Sequence, residues 1–346
     1  MSIKNNIKLL DILIIDLKDQ EGIYTPGPYW NGYAARIVKA IKKQGLESFR
    51  ANPRIGKGFS DSLVFEPIDL SKLISIKSRV YEKLVNNHII SKYFLSPYRE
   101  RISAISIQKE MYMNLYYNHL LSDWYEKFKS SHKLPNPYLQ EPTDVITLSG
   151  DKIGRTYLNS YLRIYNYSHQ INFNSKKILF EIGGGFGSNV HSLLTMYPNI
   201  RKVIYLDIPP ILYIANQYLE SIFPGSVVSY EKTKYNDSIK FKEDASLEIF
   251  CVAPWQIEKL DVSVDLFWNS ASFQEMPEST VQNYCKHLSS ICGNNTSFCV
   301  YIYNTIDSQK TIDQNKLVQL IKKELSRDFI EVNQILEVNK GKYFLG

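Results

Sequence analysis

Cysteine, clustered histidine and long apolar runs are all scarce in this sequence, and each absence excludes a class of protein. The 346 residues include four cysteines, and no two of them form a C-x-x-C pair. A disulfide-stapled secreted fold and a structural zinc site are therefore not expected. The six histidines show no zinc-like clustering either. We expect reduced, buried thiols in a cytoplasmic protein, at positions Cys251, Cys285, Cys292 and Cys299.

No stretch is apolar enough for a membrane span, which needs roughly 18 uncharged residues. The apolar stretch near the start, from Leu9 to Leu17, is interrupted by Asp11 and Asp16, and no small-residue cleavage site follows it. It therefore resembles neither a signal peptide nor a membrane anchor. We expect a core helix or strand at this place, in a protein without a membrane span.

Positive charge is in mild excess, and the excess lies in the first part of the chain. The formal net charge is +6; residues 1–150 contain 21 of the 41 Lys and Arg residues but 15 of the 35 Asp and Glu residues, which leaves 20 of each for residues 151–346. No dense basic run with interleaved aromatic residues occurs, so nucleic acid is not an expected partner. The surplus favours either an anionic small-molecule partner or a plain solvated surface.

The first 150 residues are expected to form a mainly helical region. Apolar positions at helical spacing predict helices over residues 29–50 and 108–128. Prolines clustered within residues 135–142 break regular structure and mark a joint. We therefore divide the chain into a region 1–150, which serves as a pocket wall, a lid or an oligomer contact, and a domain 151–346.

After the joint, strand-like and helix-like segments alternate. Strands are predicted at residues 177–182, 202–206, 226–230, 247–252, 263–268, 297–303, 329–336 and 342–345, and helices at 154–171, 188–196, 210–222, 279–292 and 313–326. This alternation predicts an α/β fold, namely a Rossmann-like, doubly wound and mostly parallel sheet. The last two strands leave no room for a helix between them, so we expect an antiparallel hairpin at the sheet edge.

A glycine-rich turn follows the first strand of this domain. It consists of Gly183, Gly184, Gly185, Phe186 and Gly187. The missing side chains let the backbone turn tightly at the end of the strand and let a ligand approach closely. The helix that begins at Ser188 points its amino end at the same place, and in open α/β sheets this crevice is where ligands bind. We therefore expect these five residues to bind a cofactor.

Two acidic residues indicate which cofactor. Asp207 ends the second strand, 20 residues after Gly187, where it can accept hydrogen bonds from ribose hydroxyls, and Ile208 beside it can cover adenine. Ser188 stands where a dinucleotide fingerprint needs Gly or Ala, and Glu181 would repel a pyrophosphate but attract an ammonium group. We therefore expect S-adenosylmethionine. A nicotinamide dinucleotide, or a turn that binds nothing, is the alternative.

The chain from Tyr157 onward resembles the class I S-adenosylmethionine-dependent methyltransferases, and within them the bacterial group described as sugar O-methyltransferases. The runs that carry the resemblance are LRIYNY at 162–167, FEIGGGFG at 180–187, VIYLDIPP at 203–210, DLFWNSASFQEM at 265–276 and YFLG at 343–346. The glycine motif is specific for the class, and the other runs for the group. The resemblance implies an O-methyltransferase whose acceptor is a sugar hydroxyl of a glycan, a nucleotide sugar or a natural-product precursor.

The stretch after the strand at 263–268 provides candidate catalytic residues, because residues there usually lie nearest the transferred methyl group in such a sheet. Glu275 is the first candidate for the base that takes the hydroxyl proton, and Asn269 for a hydrogen bond that positions the acceptor or the cofactor. His191, on the first turn after the glycines, is a second candidate base. A capping or salt-bridge role for Glu275 and an ordinary helix position for His191 are the alternatives.

Three further residues are candidates for contacts with the cofactor. Trp255 could flank the adenine or lie in the core, and Arg155 and Arg163 could reach the methionine carboxylate. No cluster of carboxylates accompanies the strand at 263–268, so no metal is expected.

The cofactor half of such a protein says little about the atom that is methylated. An N- or C-methyltransferase of another small molecule is therefore an alternative within the class. A nicotinamide-dependent oxidoreductase and a non-catalytic binding protein on the same scaffold are alternatives outside it. The expected partner is a small-molecule or glycan acceptor, anionic if the N-terminal positive charge acts on it, and a homodimer is a further expectation.

Overall fold

The computed structural model describes residues 3–56, 117–303, 311–334 and 341–346. The first part of the helix predicted over 108–128 lies outside these residues, as does the segment that joins the last two predicted strands. None of the helices in the described ranges combines the length and the apolar character needed to cross a membrane.

The described residues form ten strands and several helices, which alternate along the second part of the chain. The helices are α1 (Ile7–Leu17), α2 (Asn31–Gln44), α3 (Arg155–Ser168), α4 (Ser188–Met196), α5 (Pro209–Ile222), α6 (Glu278–Ile291) and α7 (Gln314–Leu325). The strands are β1 (Val145–Leu148), β2 (Asp151–Gly154), β3 (Ile178–Ile182), β4 (Lys202–Leu206), β5 (Val227–Val228), β6 (Glu248–Val252), β7 (Val264–Ser270), β8 (Cys292–Ile302), β9 (Ile330–Val332) and β10 (Lys342–Leu345). Residues 117–131 and the single turn Tyr230–Thr233 are also helical.

The central sheet has the strand order β5-β6-β4-β3-β7-β8-β10-β9. Strands from β5 to β8 in this order pair in parallel, whereas β10 is antiparallel to both of its neighbours. The strand order reverses between β3 and β7, so their carboxyl ends border the crevice in which such sheets bind ligands. The predicted α/β fold, with a mostly parallel sheet, antiparallel C-terminal strands and a helical N-terminal region, is confirmed.

Side-chain alternation along the strands divides the core into two layers. In β3, Leu179 belongs to one hydrophobic cluster, whereas Phe180 and Ile182 belong to the other. Successive side chains of a strand point to opposite faces, which explains this division. The first layer packs against α1 to α5 and the second against α6 and α7. Helices thus cover both faces, so β4 and β6 are buried along their whole length.

The apolar stretch near the start of the chain is helix α1, which packs against α5. Leu10 and Leu13 on its inner face are fully buried. Asp16 near its end accepts a hydrogen bond from Tyr230 Oη at 2.7 Å and pairs with Lys234 at 2.8 Å. The expectation of a core element is therefore confirmed, and that element is a helix.

Helix α2 is shorter than the predicted span 29–50. It ends at Gln44 because Gly45 has a φ of 71°, in the left-handed region that glycine tolerates. The backbone N–H of Gly45 donates to the carbonyl of Ile41 at 2.8 Å and closes the last turn.

The observed strands differ from the predicted ones in two places. The hairpin β1–β2 was not predicted, and its two-residue connection, Ser149 and Gly150, has φ values of 49° and 85°. Positive φ at both positions matches the right-handed twist of the flanking strands. Strand β8 is longer than the predicted 297–303, because α6 ends at Ile291 and β8 begins at the next residue.

Candidate active site

The glycine-rich turn lies at the carboxyl end of β3, next to the loop that follows β7. Gly183, Gly185 and Gly187 have φ values of 73°, 65° and 91°, conformations that disfavour a side chain. A Cβ on Gly183 would lie 2.1 Å from Oγ of Ser272, so glycine permits the close approach of the two loops. Helix α4 begins directly after the turn, and its amino end therefore points to the crevice.

Glu181 is fully buried at the end of β3, and its carboxylate is only partly satisfied. Its Oε1 accepts a hydrogen bond from Nδ2 of Asn189 at 2.7 Å, whereas Oε2 has no hydrogen-bond partner among the residues that the structure describes. Burial raises the pKa of Glu181 to about 8, although the Asn189 bond opposes the shift. A Cβ on Gly184 would lie 2.4 Å from Oε2. A cationic N–H donor would satisfy this oxygen and favour the ionised carboxylate.

Asp207 lies just after β4 and lines the same crevice. Its Oδ2 accepts hydrogen bonds from Gly185 N at 3.2 Å and Tyr205 Oη at 3.0 Å, and its Oδ1 from Ile208 N at 2.8 Å. Burial raises the pKa of Asp207 to about 7 in spite of these donors. The carboxylate is thus oriented by its neighbours and keeps acceptor capacity for hydroxyl groups.

A cavity of about 660 Å³ opens between the glycine turn and the segment that precedes and begins α2. The turn forms one wall, aromatic side chains near the start of the chain form another, and residues after β7 and at the end of β8 complete it. The lining includes Gly183, Gly184, Gly185, Phe186, Asp207, Ile208, Arg163, Glu275, Tyr303, Tyr24, Tyr29, Trp30 and Tyr33.

The two predicted arginines of α3 differ in their position relative to the cavity. Arg163 lines it, and its guanidinium lies 4.5 Å from the ring centroid of Tyr301. Arg155, at the start of the helix, is not part of the lining, and its backbone N–H donates to the carbonyl of Asp144 at 2.9 Å. The structure therefore brings Arg163, and not Arg155, to the cavity.

Glu275 is in the cavity wall and is bound at both carboxylate oxygens. It ends the 3₁₀ turn Phe273–Glu275 that follows β7. Its Oε2 accepts a hydrogen bond from Trp30 Nε1 at 2.8 Å, and its Oε1 accepts one from Tyr303 Oη at 3.1 Å. These two hydrogen bonds fix the orientation of the carboxylate at the cavity.

Asn269 is buried behind the cavity and does not line it. Its Nδ2 donates to the carbonyl of Ile182 at 3.0 Å and to Oγ of Ser272 at 2.7 Å, and its Oδ1 accepts from Phe273 N at 3.2 Å. These bonds use the amide group to fix the loop between β7 and Glu275. The predicted direct hydrogen bond to the acceptor or cofactor is therefore replaced by an indirect role.

His191 and Trp255 are not brought to the cavity lining. Nδ1 of His191 lies 2.6 Å from Tyr157 Oη and 3.0 Å from Tyr218 Oη, and burial lowers its pKa to about 3. The ring of His191 therefore packs between helices α3 and α5 and does not face the cavity. The structure does not support a role for His191 as the base. Trp255 Nε1 donates to Tyr230 Oη at 3.1 Å and its ring packs against the core, which agrees with the alternative of a core position.

The sequence analysis did not identify several of the residues that line the cavity. Tyr29, Trp30 and Tyr33 form a cluster with ring centroids 5.9 to 6.1 Å apart, and Trp30 reaches a residue 245 positions away. No local pattern reports a contact of that range. The only local signal was the aromatic run at the start of α2, which has the ordinary spacing of a helix.

Residues 159–251, from α3 to β6, match the family model described as an O-methyltransferase domain. This segment is therefore similar to an O-methyltransferase domain. It contains Glu181, the glycine turn and Asp207. For this segment, the match supports the predictions of a class I methyltransferase and of S-adenosylmethionine as its cofactor.

Solved structures align with part of the chain. The mitomycin 7-O-methyltransferase MmcR is 11% identical, with a TM-score of 0.39 over 56% of this chain and 54% of that one. The pyocyanin biosynthetic protein PhzM is 14% identical, with a TM-score of 0.38 over 56% and 57%. Human N-acetylserotonin methyltransferase, solved in complex with S-adenosylmethionine, is 12% identical, with a TM-score of 0.34 over 54% and 51%. No curated protein matches the sequence.

The chain thus spans only about half the length of these solved proteins. The reaction of the whole chain, its acceptor and its partners are therefore proposals. The boundary between regions 1–150 and 151–346, the homodimer and the cytoplasmic location also stay predictions.

Proposed function

We propose that the chain transfers a methyl group from S-adenosylmethionine to a sugar hydroxyl. The observation that carries the proposal is the arrangement of the cavity. The glycine turn and Asp207 form one wall, Glu181 is buried against Gly184 of that turn, and Glu275 lies in the wall formed after β7. A donor site and a proton acceptor thus share one cavity of about 660 Å³.

The residues present fit the groups of S-adenosylmethionine. The unsatisfied Oε2 of Glu181 suits the ammonium group, and Asp207 suits the ribose hydroxyls. Arg163 is the cation of the lining that can pair with the methionine carboxylate. A dinucleotide would instead bring a pyrophosphate close to two carboxylates, which is electrostatically unfavourable.

The chain's own residues supply alignment and a proton acceptor. Bound S-adenosylmethionine carries a methyl group on a sulfonium, which is a good leaving group. Glu275 is the residue of the lining that takes the proton from the attacking hydroxyl. Asn269 and Ser272 hold the loop that orients Glu275. Alignment of two reactants in one cavity is a large part of such catalysis.

A sugar as acceptor is supported by the aromatic wall. Tyr29, Trp30 and Tyr33 present flat apolar faces, and Tyr29 and Tyr303 add phenolic groups beside Glu275. Flat rings pack against the C–H faces of a sugar, while phenols and a carboxylate bind its hydroxyls. The N-terminal surplus of positive charge favours an acceptor that also carries a negative group, as nucleotide sugars do.

The proposal is tested by release of S-adenosylhomocysteine in the presence of defined acceptors. The panel contains UDP-glucose, UDP-galactose, UDP-glucuronic acid and methyl glucoside, with catechol and aniline as non-sugar acceptors. We expect release with at least one sugar, and a loss of about a hundredfold or more in kcat for Glu275→Gln with the cofactor Kd unchanged. Glu278→Gln is the control, because Glu278 is exposed and pairs with Lys316 outside the cavity.

Two results would contradict the parts of this proposal separately. Release with catechol or aniline but with no sugar would reject the sugar acceptor and keep the methyltransferase. Unchanged turnover in Glu275→Gln would reject Glu275 as the base.

A further inference from the structure

Both oxygens of Glu275 accept hydrogen bonds from parts of the chain that lie far away in sequence. Trp30 Nε1 donates to Oε2 at 2.8 Å, and Tyr303 Oη donates to Oε1 at 3.1 Å. The first donor lies just before α2 and the second just after β8. The orientation of the carboxylate therefore depends on residues on both sides of it.

The segment that carries Trp30 is fastened to the loop that carries Glu275. A Cβ on Gly27 would lie 2.8 Å from Cδ of Pro277, so backbone and ring are in close contact there. Oγ1 of Thr280 donates to the carbonyl of Ile23 at 3.4 Å. Contacts of the residues that precede Trp30 thus hold this segment against the loop that carries the carboxylate.

The phenols that face Glu275 are neutral donors near neutral pH. Burial, followed by the charge of Glu275, raises the pKa of Tyr29 to about 12, and the same two causes raise the pKa of Tyr303 well above its usual value. The neighbouring helix α6 begins with Glu278, which is exposed and paired with Lys316. A pH-dependent change at the Trp30 indole that disappears in Glu275→Gln is therefore attributed to Glu275.

We infer that Trp30 is a positioning residue that orients Glu275 and favours its ionised form, an inference that rests on the proposed function. A hydrogen bond from N–H to a carboxylate stabilises the anion and fixes one oxygen. Asp207, also in the cavity lining, is oriented by three donors of its own. The first residues of the chain thus contribute to the geometry of the reaction as well as to the cavity wall.

The hydrogen bond can be measured without an acceptor. The chain has four tryptophans, so the indole N–H spectrum of ¹⁵N-labelled protein contains few signals, and Trp30→Phe identifies that of Trp30. We expect this signal to shift with pH as Glu275 titrates, and the shift to vanish in Glu275→Gln. In Tyr303→Phe the midpoint should move to higher pH, because the second oxygen loses its donor. The inference would be overturned if the chemical shift of the Trp30 indole N–H changed neither with pH nor in Glu275→Gln.

Turnover with the UDP sugars gives a second readout. In Trp30→Phe we expect an unchanged Kd for S-adenosylmethionine, a kcat lower by about tenfold or more, and an acidic limb of kcat/KM at higher pH. Trp124→Phe is the matched control, since its indole is stacked on Phe128 outside the cavity and its Nε1 has no hydrogen-bond partner. In this control, kcat and the pH of the acidic limb of kcat/KM should equal those of the wild type.

The outcomes separate the inference from the proposed function. Equal losses of kcat in Trp30→Phe and Trp124→Phe, with no displacement of the limb, would contradict a positioning role. If no sugar releases S-adenosylhomocysteine, the sugar acceptor fails, whereas the indole titration still decides whether Trp30 holds Glu275.

Discussion

Glu181 is a buried carboxylate that packs against Gly184, three positions later, which has no side chain. Among the described residues its Oε2 atom has no hydrogen-bond partner, and a Cβ on Gly184 would lie 2.4 Å from it. The same Cβ would lie 2.7 Å from Cε2 of Tyr205, so the space cannot accommodate it without a shift. At the scale of residues, the donor site therefore depends on a missing methyl group.

We expect Gly184→Ala to weaken binding of S-adenosylmethionine by about tenfold or more, because overpacking of a close-packed site costs about 1–3 kcal/mol. Calorimetric titration measures the affinity. Gly293→Ala is the matched control, since nothing lies within 4 Å of the Cβ that it would add. Wild-type affinity in Gly184→Ala would contradict the role given to Glu181 and its neighbour.

The raised pKa values of Glu181 and Asp207 link stability to pH. Burial raises them from 4.5 to about 8 and from 3.8 to about 7. A carboxyl group with a raised pKa binds more protons in the folded state than in the unfolded state. Its stabilising contribution is therefore complete below the unfolded pKa and is lost as the pH rises through the folded pKa.

We expect the melting temperature of the ligand-free protein to fall between about pH 5 and pH 8. Each such group contributes up to about 1.4 kcal/mol per pH unit within this window. Thermal melts should show a smaller fall in Glu181→Gln, and also in wild type saturated with S-adenosylmethionine, whose ammonium favours the ionised Glu181. The same pH dependence in Glu181→Gln as in wild type would count against this explanation.

At the scale of elements, the loop after β7 connects the donor site to Glu275. Ala271 has a φ of 64°, and its N–H donates to the carbonyl of Tyr301 at 2.8 Å. Asn269 bridges Ile182 of β3 to the start of the next 3₁₀ turn. The strained turn persists because both of its sides are held by hydrogen bonds.

We expect Asn269→Ala to lower the free energy of unfolding by about 1–3 kcal/mol, because it leaves buried backbone groups unpaired. It should also lower kcat, because the loop that orients Glu275 loses its anchor. Urea unfolding and turnover measure the two effects. Asn294→Ala, at an exposed position of β8, should stay within about 0.5 kcal/mol of wild type. Equal stability of the two variants would show that Asn269 does not anchor the loop.

The elements that local sequence patterns determine were predictable, and those that depend on distant contacts were not. The glycine turn and Asp207 follow from strand, turn and helix signals within about 30 residues. The Trp30 contact joins residues 245 positions apart, and no local pattern encodes it. For His191 the sequence left a base and an ordinary helix position as alternatives, because its first-turn position does not reveal that its ring packs against Tyr157 and Tyr218.

At the scale of the whole molecule, one hydrophobic cluster includes residues from both predicted regions. Leu10 of α1 and Ile41 of α2 belong to the same cluster as Leu193 of α4 and Leu266 of β7. Cooperative unfolding of the described parts as one unit is expected from a continuous core. The boundary between residues 1–150 and 151–346 would then separate functions and not independent folding units.

We expect Leu10→Ala to lower the free energy of unfolding by about 2–5 kcal/mol in a single transition, because Leu10 is fully buried. Urea unfolding followed by circular dichroism and by tryptophan fluorescence should give coincident curves. Ile15→Ala is the control on the same helix, since Ile15 is 58% exposed. Two separate transitions, with the variant affecting only one, would show that the N-terminal region folds independently.

The fate of a labelled methyl group tests the central claim most directly. The wild-type protein is incubated with S-adenosylmethionine carrying a ¹³C methyl group and with the acceptor that supports turnover, and the methyl carbon of the product is observed by NMR. We predict the signal of a methyl group bonded to a sugar oxygen, formed in equal amount to S-adenosylhomocysteine. A labelled N- or C-methyl product, or S-adenosylmethionine that binds in the cavity and is recovered unchanged with every acceptor, would contradict the claim.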